Sequence, residues 1–202
     1  MKKVFIATMA FIFFSFINAG DTISKQERKN ATDLLKDTHT ALLKSLEGLS
    51  EAQLNYKGSD SSWSVDGNVK HLAAVEQTIL GMVEDALKKP ANPDNRVDIK
   101  VTDEQMIKNY ENRANKTKTL PSLEPQNIKF ASTSEALASL KQNREKAINF
   151  INTTKEDLRN HVIKYPFGSY DCYQSILILG SHMNRHTQQI DEVKSNADFP
   201  KN

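Results

Sequence analysis

Three histidines have a spacing that could bind one metal ion. His182 and His186 lie four residues apart in the run Ser-His-Met-Asn-Arg-His. On a helix such residues project to one side with Cβ atoms about 6 Å apart, so both imidazoles can reach one ion at the ~2.0–2.1 Å of a zinc–nitrogen bond. His71 lies in a separate helical segment and can add a third imidazole. Three neutral imidazoles plus an open position are typical of a catalytic metal site rather than a closed structural one.

The apolar pattern around these histidines predicts that they face the protein interior. His182 and His186 share one helical stripe with Ile178 and Ile190, and His71 lies at or near the apolar stripe of its own segment. A buried polar group without a partner costs about 1–3 kcal/mol, and one metal ion would satisfy all three imidazoles. The alternative is that they are exposed residues or hydrogen-bonded core residues without a metal.

Four long amphipathic segments must position these side chains. They are predicted over residues 25–47, 65–87, 134–152 and 171–195 from apolar residues that recur at helical spacing. A shorter amphipathic helix is predicted over residues 103–118, and residues 162–165 form the one short extended piece. The pattern indicates an all-α protein built as a four-helix bundle.

The lengths of the connections constrain the order of the helices. About 45 residues separate the second and third long segments, which is enough to cross the length of a bundle. This favours an up-down-down-up order with the short helix outside the bundle or across one end, and a simple up-down-up-down order is the alternative. In the favoured order the second and fourth helices are antiparallel, so His71 can meet His182 and His186.

The first 19 residues are typical of a signal peptide. Lys2 and Lys3 precede an apolar run over residues 4–17, and Ala19 ends a small-residue cleavage site. The run is shorter than the ~20 residues of a membrane span. We therefore expect a signal peptide at 1–19 and a bundle domain at 20–202. The protein would be exported to the bacterial periplasm or the extracellular space, with no stable membrane insertion after cleavage. A retained anchor is the alternative.

Charge and cysteine content limit the classes of partner. Without Lys2 and Lys3, 25 basic residues face 25 acidic ones, and no basic run forms a phosphate-binding stripe. This argues against nucleic acid as the main partner. Cys172 is the only cysteine, so the chain forms no internal disulfide. We interpret Cys172 as a small residue near a helix start rather than a nucleophile. The expected partner is an unknown small-molecule substrate or ligand, and a homodimer stays open.

The order and spacing of several short motifs resemble the DinB-like (DinB/YfiT-like) superfamily of four-helix metalloproteins. The matching motifs are Trp63-Ser64, His71-Leu72, His182-x-x-x-His186 and Gln189-Ile190. Together with the long crossover they extend the similarity over residues 24–193. The resemblance implies that His71, His182 and His186 bind a divalent ion, reported across the family as zinc, nickel or manganese. An all-imidazole set favours zinc or nickel, although affinity order alone does not choose between them.

The resemblance implies a metal-dependent hydrolase or transferase acting on an unknown small molecule. Some relatives use cytosolic thiols, and an export signal departs from that pattern because exported environments are oxidising. Hydrolysis is therefore the simplest reaction. The alternative is a non-catalytic secreted protein that binds a metal or a small ligand. No HExxH motif is present, because Met183 stands where that motif needs glutamate, and the catalytic residues are unknown.

Five further side chains are candidates for supporting roles. Glu76 and Gln189 could orient an imidazole or contact bound water, and solvated helix positions are the alternative for both. We expect His39 to be a core or surface residue that could lie near the site, His161 to be a loop residue, and Trp63 to plug one end of the bundle.

Export can be tested on the protein from its native host. We expect intact-mass spectrometry to show a chain that begins at or near Gly20, because cleavage after Ala19 removes residues 1–19. A full-length chain recovered from the membrane fraction would instead support the retained anchor.

Overall fold

The computed structural model describes residues 23–59, 62–114 and 118–201. The predicted signal peptide and its cleavage site lie outside these residues. The α-helices are α1 (Lys25–Leu46), α2 (Glu51–Asn55), α3 (Val65–Leu87), α4 (Asp103–Glu111), α5 (Thr133–Thr153) and α6 (Cys172–Lys194). The strands are β1 (Val162–Tyr165) and β2 (Gly168–Asp171), and short 3₁₀ turns lie at Pro93–Asp98, Pro121–Leu123, Pro125–Asn127 and Leu158–Asn160. Among the described residues, no helix is long and apolar enough to cross a membrane.

Polar side chains fix where the four long helices begin. The Ser24 hydroxyl accepts the Glu27 backbone N–H, and the Glu27 carboxylate accepts the Ser24 N–H, which completes a capping box. Ser64 caps α3 and Asp171 caps α6 in the same manner, each accepting a backbone N–H three residues ahead. These caps satisfy N–H groups that have no partner within the helix. They explain why the predicted starts agree with the observed ones to within one residue.

Side-chain contacts show that α1 and α6 are parallel. The Tyr173 hydroxyl donates to the Glu27 carbonyl near the start of both helices, and the Lys194 ammonium donates to the Ser45 carbonyl near the end of both. The helices α3 and α5 are also parallel, since the Thr133 hydroxyl at the start of α5 donates to the Asp66 carboxylate in the first turn of α3.

The remaining neighbours run in opposite directions. Asn68 in the first turns of α3 contacts His186 in the later half of α6, so these helices are antiparallel. Thr32, early in α1, donates to Asn152 at the end of α5, so these helices are antiparallel as well. The order is therefore up-down-down-up, and the predicted all-α four-helix bundle is confirmed.

A buried ion pair joins all four long helices at the centre of the bundle. Arg144 on α5 is 0% exposed, and its guanidinium donates to the Glu76 carboxylate of α3 at 2.8 Å. It also donates to the carbonyls of Leu35 on α1 at 3.3 Å and Leu179 on α6 at 3.1 Å. Glu76 is thus buried, which corrects the solvated position, and its carboxylate pairs with Arg144 rather than with an imidazole among the described residues. Burial raises the pKa of Glu76 to about 7, and Arg144 opposes that shift.

The short helix α4 packs along α6, outside the bundle. It was predicted to reach residue 118, but it ends at Glu111. Asn112 leaves the helical region with φ −69° and ψ 108°, and its side chain accepts the Ala114 N–H. Asparagine competes with helix formation in this way. A local hydrogen bond therefore explains why α4 is shorter than predicted.

A two-stranded antiparallel hairpin precedes α6. The predicted extended piece is confirmed as β1, which pairs with β2 in a register that places Val162 opposite Asp171 and Tyr165 opposite Gly168. β2 was not predicted because its four residues show no apolar alternation. Gly168 has φ +143°, a conformation that favours glycine. The hairpin ends on Asp171, which caps α6.

The buried ion pair predicts a large asymmetry between two substitutions on α5. Arg144→Ala should lower the free energy of unfolding by about 3–5 kcal/mol, because it leaves the Glu76 carboxylate buried without a partner. Lys146→Ala is the matched control. Its exposed ion pair with Glu84 should contribute no more than about 1 kcal/mol. Urea denaturation measures both, and similar midpoints for the two variants would contradict this role of Arg144.

Candidate metal centre

The structure brings His71, His182 and His186 together between α3 and α6. The His182 Nε2 atom lies 3.1 Å from His186 Nε2 and 3.4 Å from His71 Nε2. One potential ligand atom from each of the three residues lies within 4.8 Å of the other two. The antiparallel packing of α3 and α6 produces this convergence, since each helix presents its histidines at the same level of the bundle.

A backbone carbonyl fixes the orientation of His71. Its Nδ1 atom lies 2.7 Å from the Leu123 carbonyl oxygen, in the crossover between α3 and α5. A carbonyl can only accept, so Nδ1 carries the proton and Nε2 keeps its lone pair. The ring is 2% exposed, and burial lowers its pKa to about 4. His71 is therefore a neutral imidazole whose free lone pair points toward the other two histidines.

An asparagine fixes His186 in the same manner. His186 Nδ1 lies 2.8 Å from Asn68 Oδ1, and the Asn68 amide nitrogen donates to the Ser64 carbonyl at 2.9 Å. The second bond orients the amide so that its oxygen faces the imidazole. His186 Nδ1 must then donate, and its Nε2 lone pair is free. Partners on the outer ring nitrogen commonly orient metal-ligating histidines.

The inner nitrogens of the triad leave lone pairs that the described side chains do not satisfy. His182 Nε2 could donate to only one of its two neighbours at a time, so at least one buried acceptor has no donor. Burial holds the pKa values of His182 and His186 well below the usual value, so protonation does not resolve the conflict at neutral pH. Three neutral imidazole nitrogens fit a divalent cation such as zinc or nickel.

Among the described residues, no cysteine, aspartate or glutamate joins the three imidazoles. The His, Cys, Asp and Glu side chains of the described residues therefore supply three ligands and no fourth. His182 is half-buried, whereas His71 and His186 are 2% and 5% exposed. The triad thus approaches solvent on the His182 side.

Aromatic rings flank the triad on two sides. Trp63 stacks on His186 with ring centroids 5.8 Å apart and 8° between the planes, and it also lies 4.8 Å from the His71 ring. On the other side, Tyr110 of α4 meets His182 edge-on at 6.5 Å. Trp63 therefore packs directly against two histidines of the triad. From sequence it was expected only to plug one end of the bundle.

Two orienting groups and Tyr110 were missed from sequence. Asn68 had one usable signal, since it lies three residues before His71 on the buried side of α3. Leu123 contributes its backbone carbonyl, which no side-chain pattern identifies. Tyr110 lies on α4, and the sequence did not specify where that helix packs.

The remaining candidate residues lie outside the triad. Gln189 makes no hydrogen bond to a triad imidazole among the described residues, and its Oε1 atom is buried without a partner there. His39 is half-buried on α1. His161 is a buried structural residue whose two ring nitrogens face the carbonyls of Asp157 and Lys89.

Comparison with known proteins identifies the family of the chain. The family profile of the DinB superfamily matches residues 34–190, more than three quarters of the chain. The chain belongs to the DinB superfamily. It is 30% identical over 154 residues to the uncharacterized protein YuaE of Bacillus subtilis, an alignment that covers 76% of this chain and 90% of YuaE.

A solved structure has the same fold. YfiT from Bacillus subtilis, described as a probable metal-dependent hydrolase with an unusual four-helix bundle topology, aligns with a TM-score of 0.59. The alignment covers 88% of this chain and 91% of YfiT at 18% identity. The similarity extends over the whole bundle, so this DinB-like chain shares the YfiT fold.

The hydrogen bonds around the triad predict specific imidazole tautomers. In metal-free protein at neutral pH, nitrogen-15 NMR should show His71 and His186 protonated on Nδ1, because each faces an acceptor there. Asn68→Leu should remove this preference from His186 and leave His71 unchanged. A His186 that keeps its tautomer in the variant would contradict the orienting role of Asn68.

Proposed function

We propose that this DinB superfamily member is an exported hydrolase that uses a divalent metal ion to cleave a small molecule. The observation that supports the proposal is the convergence of three neutral imidazole Nε2 atoms, with no fourth His, Cys, Asp or Glu ligand among the described residues. Catalytic metal sites use this kind of open ligand set, whereas structural sites use four protein ligands.

The residues of the chain have separate roles in this proposal. His71, His182 and His186 would hold the ion, and Leu123 and Asn68 would keep His71 and His186 in the ligating tautomer. A bound divalent ion supplies Lewis-acid chemistry, by activating water or polarising a substrate carbonyl. Trp63 would exclude bulk water from His71 and His186, and Tyr110 would border His182 on the side where the triad approaches solvent.

The surroundings of the triad favour esters over amides as substrates. Hydrolysis of an amide needs a proton for the departing amine, which a nearby acid supplies in many hydrolases. Among the described residues, no carboxylate joins the triad. An ester has a better leaving group and depends less on such an acid. We therefore propose a small ester as the substrate class to screen first.

Two further points favour hydrolysis over thiol transfer or simple binding. Water is available in the exported environment proposed for this chain, whereas low-molecular-weight thiols belong to the cytosol. YfiT, which shares the fold, is described as a probable metal-dependent hydrolase. A binding protein would be favoured by a fourth protein ligand, and no further His, Cys, Asp or Glu of the described residues joins the triad.

Metal content and tryptophan fluorescence test the site. Protein purified without added metal should contain one divalent ion per chain, with zinc or nickel favoured over manganese. The double variant His182→Ala/His186→Ala should lose it, and His39→Ala should keep it. Trp63 is the only tryptophan and stacks on His186. Nickel added to the metal-free protein should therefore quench its fluorescence in the His39 variant but not in the double variant.

Ester hydrolysis by the same proteins tests the activity. The metal-loaded protein should cleave small esters, and both chelation and His71→Ala should reduce turnover to background. Equal metal content in the wild type and the double variant would contradict the metal site. A loaded protein that cleaves no ester, amide or thioester would contradict the hydrolase and support the binding alternative.

A further inference from the structure

The carbonyl that orients His71 comes from a segment distant in sequence. Leu123 lies 52 residues after His71 and makes this contact through its backbone. It belongs to the crossover between α3 and α5, which the helix order requires to span the bundle. The position of that segment over α3 therefore decides whether His71 Nδ1 has an acceptor.

Short hydrogen-bonded turns make the segment around Leu123 stiff. Two consecutive 3₁₀ turns, Pro121–Leu123 and Pro125–Asn127, each begin with a proline, which fixes its φ angle. The Asn127 side chain donates back to the Pro121 carbonyl at 2.7 Å and ties the two turns together. A stiff unit of this kind transmits a displacement at one end to the other end.

The two turns over residues 121–127 pack against α3 at Gly67, which lies one helical turn before His71. A Cβ atom at position 67 would lie 3.3 Å from the Pro125 Cβ atom and 3.4 Å from its Cγ atom. Gly67 has no positive φ, so the backbone conformation does not require glycine there. A side chain at position 67 would therefore require Pro125 to move by a few tenths of an ångström, and its Cβ atom would also lie 3.4 Å from the Ser64 Oγ atom.

We propose that Gly67 is a positioning residue for the metal site. By letting the unit of residues 121–127 sit directly on α3, it places the Leu123 carbonyl where His71 Nδ1 can donate, and so sets the ligating tautomer of His71. The inference rests on the proposed metal function, but it concerns a glycine that contacts neither an imidazole nor an ion. A larger side chain at position 67 would displace Pro125, and Leu123 with it.

A matched pair of substitutions on α3 tests the proposal. Gly67→Leu should displace the two turns, whereas Gly81→Leu is the control, since within the described part of the chain a Cβ built at position 81 meets nothing within 4 Å apart from its own helix backbone and chain neighbours. Nitrogen-15 NMR of the metal-free proteins should show that His71 loses its Nδ1-protonated form only in Gly67→Leu. Competition with a chelator should show zinc affinity lowered about 10-fold or more in that variant alone, as for loss of other orienting contacts.

A milder variant covers the case in which Gly67→Leu does not fold. Gly67→Ala should lower zinc affinity by a smaller factor, even though alanine favours helix more than glycine does. A gain in thermal stability with a loss of zinc affinity separates positioning from general destabilisation.

The proposal is overturned if the folded position 67 variants match Gly81→Leu in His71 tautomer and zinc affinity. Wild-type protein that binds neither zinc, nickel nor manganese would instead refute the proposed function. The tautomer measurement on the metal-free proteins would still decide the role of Gly67.

Discussion

Three imidazole Nε2 atoms face one another at short distance inside the helical bundle. His71 and His186 are each fixed as acceptors at Nε2 by a carbonyl-type oxygen on the other side of the ring. Burial keeps the rings neutral, and the contacts between 3.1 and 3.4 Å leave at least one acceptor without a donor. A bound cation would satisfy the Nε2 acceptor that has no donor. Until a cation binds, burial and the hydrogen bonds to the outer ring nitrogens keep that acceptor unpaired.

The order of the helices brings the three histidines together. The histidines meet because α3 and α6 are antiparallel neighbours, and the up-down-down-up order makes them so. That order also requires a long crossover between α3 and α5, and the same crossover supplies the Leu123 carbonyl that orients His71. At the centre of the bundle, the Arg144–Glu76 pair joins all four long helices. The crossover that the topology of the bundle requires therefore also orients His71.

The sequence predicted those features that depend on periodicity. The four long helices, their approximate ends and the inward direction of the histidines follow from apolar stripes and capping residues such as Ser24. The buried Arg144–Glu76 pair was not predicted, because each charged side chain alone looks solvated and only the packing joins them. The carbonyl of Leu123 and the end of α4 at Glu111 depend on local backbone geometry, which the residue pattern does not encode.

We propose that His71, His182 and His186 together bind one divalent ion and leave a coordination position open. A crystal structure of the zinc-loaded protein, with the ion located by anomalous scattering, tests it most directly. We expect one peak at about 2.0–2.1 Å from the three Nε2 atoms, with solvent as the remaining ligand. A fourth protein ligand at the peak would contradict an open coordination position. An ion bound elsewhere, with the triad empty, would contradict metal binding by the three histidines.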